Sequence, residues 1–309
     1  MLTTPMDVLH RFPVRKTKLQ KQAFRNALQP YLEKMGYPVT VETGSFGANN
    51  VVIGDPEGAK YLLTAHYDTF ANMIVPNYIT PCNFWAFLGY QMLLTIGIVG
   101  IAFAVALIPG LVFGWELYGL FGFLGVWLIL GLMLFGPANK SNANDNTSGV
   151  VTLLEIARTM PENQRHKVCF VLFDLEEAGL IGSASYRKAH KKATDTQIVL
   201  NLDCVGEGDH IRFFPNKPML KNRRKLSSLY IACGYLGTKD ILVHEKGFSV
   251  YPSDQKHFPY GVGICALNQG KFGLSMGKIH TSRDTTLDET NVNILRAALT
   301  TYITCDAVN

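Results

Sequence analysis

The chain has 309 residues, 48% of them apolar and 17% charged, with a formal net charge of +5. That supplies enough apolar material for a substantial core, and a mild positive excess is what a solvated surface carries. The basic residues form only short clusters, at 11–25 and 221–225, rather than a focused stripe. This argues against a nucleic-acid partner and leaves anionic lipid headgroups as the better match for some of the charge.

No Lys or Arg falls between Tyr61 and Asn139, so all 29 lie outside that window. Without its most hydrophobic stretch the chain keeps roughly 250 residues, a size suited to one α/β domain. None of the six cysteines (Cys82, Cys169, Cys204, Cys233, Cys265, Cys305) shows C-x-x-C spacing, and several sit in apolar runs. This pattern predicts a reducing compartment rather than a disulfide framework. The first residues, M-L-T-T-P followed by charge, contain no apolar stretch of the kind a cleavable signal peptide needs.

In chain order, 16–35 reads as a helix, with Leu19, Phe24, Leu28 and Leu32 as a partial apolar stripe ended by Gly36 and Pro38. The short runs 39–42, 50–53 and 61–66 read as strands. Residues 84–108 carry no formal charge, Pro109-Gly110 interrupts, and 111–135 carry only Glu116. Each run exceeds the roughly 20 residues that cross about 30 Å of hydrocarbon. Core helices of a soluble protein would show a polar face; these show almost none. The expectation is a transmembrane helical hairpin that contacts the lipid bilayer through 84–135. Trp85 and Trp115 lie near the proposed ends, and Glu116 lies in the turn. A hairpin returns the chain to the side it left. A domain that carries every basic residue is then expected on the cytoplasmic face.

Beyond the hairpin, helices at 147–160, 179–192, 220–234 and 289–308 alternate with strands at 167–174, 197–204, 211–214, 241–244 and 262–267. The expected fold is α/β: a mixed, largely parallel twisted sheet flanked by helices. The domain organisation is then a discontinuous α/β domain, 1–83 and 136–309, with the hairpin inserted at 84–135.

Several polar clusters fall at the ends of these elements. His66 and Asp68 in T-A-H-Y-D-T (64–69) are two apart on a strand and face one side; the histidine can ligate a metal and the aspartate can steady its ring. Asp145 in N-D-N-T-S-G (144–149) precedes a helix, where it is either a cap or a carboxylate bridging two cations. Glu176 and Glu177 open E-E-A-G-L-I-G-S (176–183). They are either an acidic first helical turn or a ligand beside a group aimed at a water. Asp203 ends a strand in N-L-D (201–203), and His280 lies in I-H-T-S-R-D-T (279–285).

In this order the five motifs resemble those of the M28 di-zinc aminopeptidases, over Tyr61 to Thr285 apart from the hydrophobic insertion. The resemblance implies a zinc-exopeptidase-like fold and two Zn2+ ions, with Co2+ or Mn2+ as substitutes. It implies that His66 and Asp203 hold one ion, that Glu177 and His280 hold the other, and that Asp145 bridges them. Glu176 would be the general base, Asp68 the partner of His66, and the Asp145–Asn146 peptide cis. The implied reaction is hydrolysis of N-terminal peptide bonds in peptide substrates. Gln255, in S-D-Q (253–255), departs from the family's S-D-H, which leaves the ligands intact and bears on substrate positioning. The alternatives are a glutaminyl-cyclase-like acyltransferase, which by resemblance uses one zinc, and a non-catalytic membrane-associated binding module. Side-chain specificity and oligomeric state are not legible in the sequence.

Overall fold

A short helix α1 (Asp7–Arg11) precedes α2 (Lys18–Lys34) in a computed structural model that describes residues 2–234, 238–245 and 249–305. Thr17 begins α2 with a reciprocal cap: its hydroxyl accepts from the Gln20 amide while the Gln20 side chain accepts from the Thr17 amide. Strands β1 (Val39–Thr43), β2 (Asn49–Ile53) and β3 (Tyr61–His66) follow. Two apolar helices, α3 (Phe84–Phe113) and α4 (Tyr118–Phe135), come next. The second half alternates α5 (Gly149–Thr159), β4 (Val168–Phe173), α6 (Ile181–Ala189), α7 (Lys191–Thr194), β5 (Ile198–Leu202) and β6 (His210–Pro215). It closes with α8 (Lys217–Lys221), α9 (Arg223–Cys233), β7 (Asp240–Val243), β8 (Tyr260–Gly270), β9 (Gly273–Ser275) and α10 (Glu289–Thr304).

The strands form one sheet in the order β1-β2-β4-β3-β5-β8-β6-β7, with β9 paired to β8. The centre, β4-β3-β5-β8, is parallel, as is the β6–β7 pair; the β1–β2, β2–β4, β6–β8 and β8–β9 pairs are antiparallel. The sheet is therefore mixed, and "largely parallel" describes only its middle.

Burial on both faces explains why β4 reads as an unbroken apolar run and β3 as one interrupted only by Thr64 and His66. Tyr61, Leu63 and Ala65 of β3 join Val168, Phe170 and Leu172 of β4 in the main core beneath α2, α5 and α10. The intervening Leu62, Cys169, Val171 and Phe173 pack on the other face with Tyr186 of α6 and Phe258.

Several boundaries differ from expectation. Helix α3 runs straight through Pro109-Gly110 and ends at Gly114, whose φ of +113° suits glycine. A proline removes one donor without forbidding helical φ, and the Gly114 amide still bonds to the Gly110 carbonyl at 3.0 Å. The expected 179–192 helix divides into α6 and α7. The expected 220–234 helix begins afresh at Asn222, whose side chain caps α9. The expected closing helix ends at Thr304, and its residues 306–308 lie outside the described residues.

Part of the basic cluster at 11–25 is turned inward, while Arg11 and Lys18 stay exposed. Arg15 is fully buried, Lys21 is buried against Asp174 at 2.6 Å, and Arg25 donates to the Tyr67 hydroxyl at 2.6 Å.

Helices α3 and α4 are each long and apolar enough to cross a membrane, and only 17% and 6% of their most apolar windows are buried. They pack on each other through small residues: Ala102, Ala106 and Gly110 of α3 and Gly122 of α4 are their buried positions. Gly110 lies against Tyr118, Phe103 against Gly122 and Ala102 against Gly125. Continuing this antiparallel register puts the end of α4, Phe135, opposite Met92. The first turns of α3 thus extend past α4, alongside the domain built on the sheet.

Candidate metal centre

Three of the expected site segments end adjacent parallel strands. His66 is the last residue of β3 and pairs in register with Phe173 at the end of β4, while Thr64 pairs with Asn201 of β5. The carboxyl ends of β3, β4 and β5 therefore present His66, Glu176–Glu177 and Asp203 to one crevice, where ligands gather in such sheets. Asp145 reaches it from the turn before α5, and His280 from the loop after β9.

Asp145 lies between the two histidines. Its Oδ1 is 3.2 Å from His66 Nε2 and its Oδ2 is 3.0 Å from His280 Nε2. On the outer side of each imidazole stands a further carboxylate: Asp203 at 3.6 Å from His66 Nε2, and Glu177 at 3.2 Å from His280 Nε2. Glu176 belongs to the same pocket, with ligand atoms of His66, Glu176 and Asp203 all within 4.8 Å of one another. Distance alone thus admits Glu176 as ligand or as base. Cys204, which sequence reasoning had not singled out, groups with Asp145 and Asp203. Burial pushes its thiol well above its ordinary range, and the neighbouring Asp145 and Asp203 push it further.

The turn carrying Asp145 is fixed from several sides. Its peptide to Asn146 is cis. Asn146 donates to the Leu202 carbonyl at 2.9 Å and accepts from the Gly149 and Cys204 amides at 3.1 and 3.2 Å. A Cβ at Gly149 would fall 2.5 Å from the Leu202 carbonyl oxygen, so this approach requires glycine. Asp284 accepts from the Asn144 and Asp145 amides at 2.7 and 3.0 Å, and burial lifts its own pKa to about 7.

Asp68 is expected beside His66. The ring Nδ1 meets the Asp68 carbonyl at 3.2 Å, with the carboxylate 3.7 Å away. That carboxylate accepts from the amides of Glu176 and Glu177 at 3.1 and 3.3 Å, so it holds the acidic loop as well. Asp174, paired with Lys21, accepts from the amides of Asn49 and Leu175 at 3.0 and 2.9 Å. The buried Arg15 donates to the carbonyls of Tyr67 and Phe12 and to Thr147, which ties the chain below β3 to the turn beside Asp145. Leu175, Cys204 and His280 all have φ between 54° and 61°, and each is itself a site residue or adjoins one. Residues held in this region cost energy and cluster at functional sites.

Gln255 is buried outside the pocket. It accepts from Asn201 at 3.2 Å and donates to the Tyr251 carbonyl at 2.8 Å. Tyr251, whose hydroxyl donates to the Asp203 carbonyl at 2.8 Å, lines the pocket with Ile79, Met276 and Ile279. Gln255 therefore reaches the pocket through its neighbours Tyr251 and Asn201.

The donor set fits two divalent cations. With Nδ1 on the Asp68 carbonyl, His66 turns Nε2 toward the carboxylates of Asp145 and Asp203, a contact that a proton or a metal cation must fill. The buried Glu177 Oε1 has no hydrogen-bond partner. Burial raises Glu176 well above the carboxylate range. His66 opposes that rise, while Glu177, Asp254 and Asp203 add to it. Burial likewise raises Glu177, against His280. Burial also works against the charged form of Asp145, yet its hydrogen bonds to the two imidazoles hold it far below its ordinary value. Donor atoms 3.0–3.6 Å apart suit ligands each about 2.0–2.1 Å from a zinc ion.

Residues 131–303 match Peptidase family M28. The chain belongs to this family. Among curated proteins none matches the sequence. Its fold is shared with the LapA aminopeptidase of Legionella pneumophila, 14% identical with a TM-score of 0.58, over 97% of this chain and 69% of that one. A Zn-dependent exopeptidase from Parabacteroides distasonis is 18% identical with a TM-score of 0.58, over 99% and 97%. Glutaminyl cyclase from Porphyromonas gingivalis is 16% identical with a TM-score of 0.60, over 97% and 96%. At these identities the likeness is one of fold. As an M28 protein the chain combines the family's mixed sheet with a metal-binding cluster of His, Asp and Glu.

Proposed function

We propose that this M28 chain is a zinc-dependent exopeptidase that removes amino-terminal residues from peptides, held at a membrane through 84–135. The observation that carries the reading is Asp145, whose two carboxylate oxygens face two different imidazoles, each backed by its own carboxylate. This symmetry supports two ions: one held by His66 and Asp203, one by Glu177 and His280, with Asp145 shared. When bound, two such ions supply Lewis acidity, which acidifies water and polarises a peptide carbonyl.

The chain's own residues do the rest. Glu176 takes a proton from the attacking water and delivers it to the departing amine, a task suited to a carboxylate whose burial raises its proton affinity. Asp68, through the amides of Glu176 and Glu177, keeps that carboxylate in place. The surplus of carboxylates favours a substrate with a free α-ammonium group, which suits exopeptidase action, and Ile79, Met276 and Ile279 offer an apolar wall to its side chain.

The hairpin reading rests on the exposure of α3 and α4 and on the confinement of all 29 Lys and Arg outside 61–139. The same charge distribution, with six free cysteines, supports a catalytic domain on the cytoplasmic face.

Metal analysis of the purified protein, alongside aminoacyl-amide and glutaminyl-peptide substrates, tests the function. Two zinc ions per chain and release of free amino acids are expected. One ion per chain with release of pyroglutamate would replace the peptidase reading with the cyclase one.

A further inference from the structure

A groove of about 470 Å³ lies where α3 leaves the catalytic domain, between its first turns and the β8–β9 turn. Ala86, Gly89 and Leu93 form one wall; Tyr78, Lys271 and Phe272 form the other. We infer that this groove binds one anionic phospholipid of the bilayer, with an acyl chain along α3 and the phosphate at Lys271. The inference rests on the reading of α3 and α4 as membrane-spanning.

The level of the groove is the first argument. From Ala86 to Leu93 the helix rises about 10 Å. Because α4 ends opposite Met92, the groove begins beside the catalytic domain and opens at Leu93, where the paired helices become lipid-facing. The stretch that both helices share, 92–113 against 118–135, is close to the roughly 20 residues that span a bilayer. The first eight residues of α3, 84–91, are left at the headgroup level, and Trp85, 76% exposed, stands there as interfacial tryptophans do.

The groove is also built firmly. The Phe272 carbonyl accepts from the Asn83 side chain at 2.9 Å, and Asn83 caps α3, so the turn and the helix move together. Tyr78 packs against Gly270, where an added Cβ would come within 3.1 Å of the tyrosine hydroxyl. Phe272 is nevertheless 55% exposed, an aromatic ring placed at the mouth. Lys271 lies 5.7 Å from that ring, and among the described residues no carboxylate is within ion-pair distance of it. An apolar channel with one uncompensated ammonium group is complementary to an acyl chain carrying an anionic phosphate.

The test uses the full chain reconstituted into nanodiscs containing equal amounts of phosphatidylglycerol and phosphatidylcholine, with retained lipids counted by native mass spectrometry. One retained phosphatidylglycerol per chain is expected, preferred roughly five-fold over phosphatidylcholine, the factor one lysine gives at an anionic surface. Lys271→Gln should bring that preference to parity. Gly89→Phe fills the groove, and because nothing lies within 4 Å of a Cβ at Gly89 the helix accepts it; it should abolish retention of either lipid. Equal retention of both lipids by the wild type, or retention unchanged in both variants, overturns the groove assignment and leaves the hairpin reading standing. A chain that never enters the nanodiscs overturns both.

Discussion

Glu176 and Glu177 are neighbours in the chain with different surroundings. Glu177 faces His280, whereas Glu176 groups with His66 and Asp203. If Glu176 is the base, Glu176→Gln should lower turnover by roughly 10²–10⁴-fold while two zinc ions stay bound. A variant that loses one ion would make Glu176 a ligand instead. Asp284 offers a second test. It touches no imidazole, yet it accepts both amides that set the Asp145 turn. Asp284→Asn leaves one of them facing a donor, so metal affinity should fall about 10–100-fold, as loss of an outer partner does. Isothermal titration with Zn2+ reads this directly, and unchanged affinity would mean the turn is held without the Asp284 carboxylate. The histidines and carboxylates of the pocket were legible in the sequence because the chemistry fixes their types and the motifs fix their order. Asp284, Arg15 and Asn146 were not assigned roles, because their partners are backbone groups distant in the chain. Arg15 in particular looked like one more surface charge.

At the scale of elements, the central strands could be read because burial on both faces writes continuous apolar runs. The antiparallel margins could not, since pairing direction leaves little mark on composition. The passage of α3 through Pro109-Gly110 was hidden for a related reason: the local signal for a break is real, but the remaining backbone bonds outweigh it. The site depends on three strand ends meeting, so removing the ions should loosen them together. Chelation is expected to lower the melting temperature and two equivalents of Zn2+ to restore it; a melting curve indifferent to chelator would deny the cations any structural share.

A second element contact gives a pH signature away from the site. His190, at the end of α6, meets Glu57 through Nδ1 at 2.6 Å and Glu42 of β1 through Nε2 at 2.9 Å. Both ring nitrogens face carboxylates, so both donate and the ring is cationic. Burial lowers its pKa, but the bonds to Glu57 and Glu42 outweigh burial and leave it above the ordinary 6.5. A raised folded value means that the folded state holds the proton more tightly. The stabilisation is fully present below 6.5 and is lost as pH rises through the folded pKa. Wild type should therefore melt above His190→Gln at about pH 5.5, and the gap should narrow as pH rises above 6.5 through the raised folded value. A gap that does not change with pH would show that the ion pairs do not contribute.

At the scale of the whole molecule, the hairpin and the catalytic pocket share one thin partition. Ile79 and Met276 exchange backbone hydrogen bonds, both 3.0 Å, across an isolated bridge. Along this extended segment Asn77 and Ile79 face the catalytic pocket, while Tyr78 faces the groove beside α3. Helix α3 braces the same segment: Tyr90 donates to the Pro76 carbonyl at 2.5 Å, and Gln91 reaches Asn77 at 3.4 Å. Lys16, from the catalytic domain, donates to the Leu134 carbonyl in the last turn of α4, where a cation also suits the helix dipole. Two excisions therefore separate anchoring from bracing. Replacing 93–134 with a short Gly/Ser turn joins residues that the register places side by side and keeps Tyr90 and Gln91. That chain should be extracted without detergent and should turn over soluble aminoacyl amides with kcat and KM near wild type. Removing 84–135 entirely also takes away the brace on 76–79 and should raise KM while the metal content stays at two per chain. If the shorter excision still requires detergent, the membrane contact lies outside the two helices; if the longer one leaves KM unchanged, the partition stands without α3.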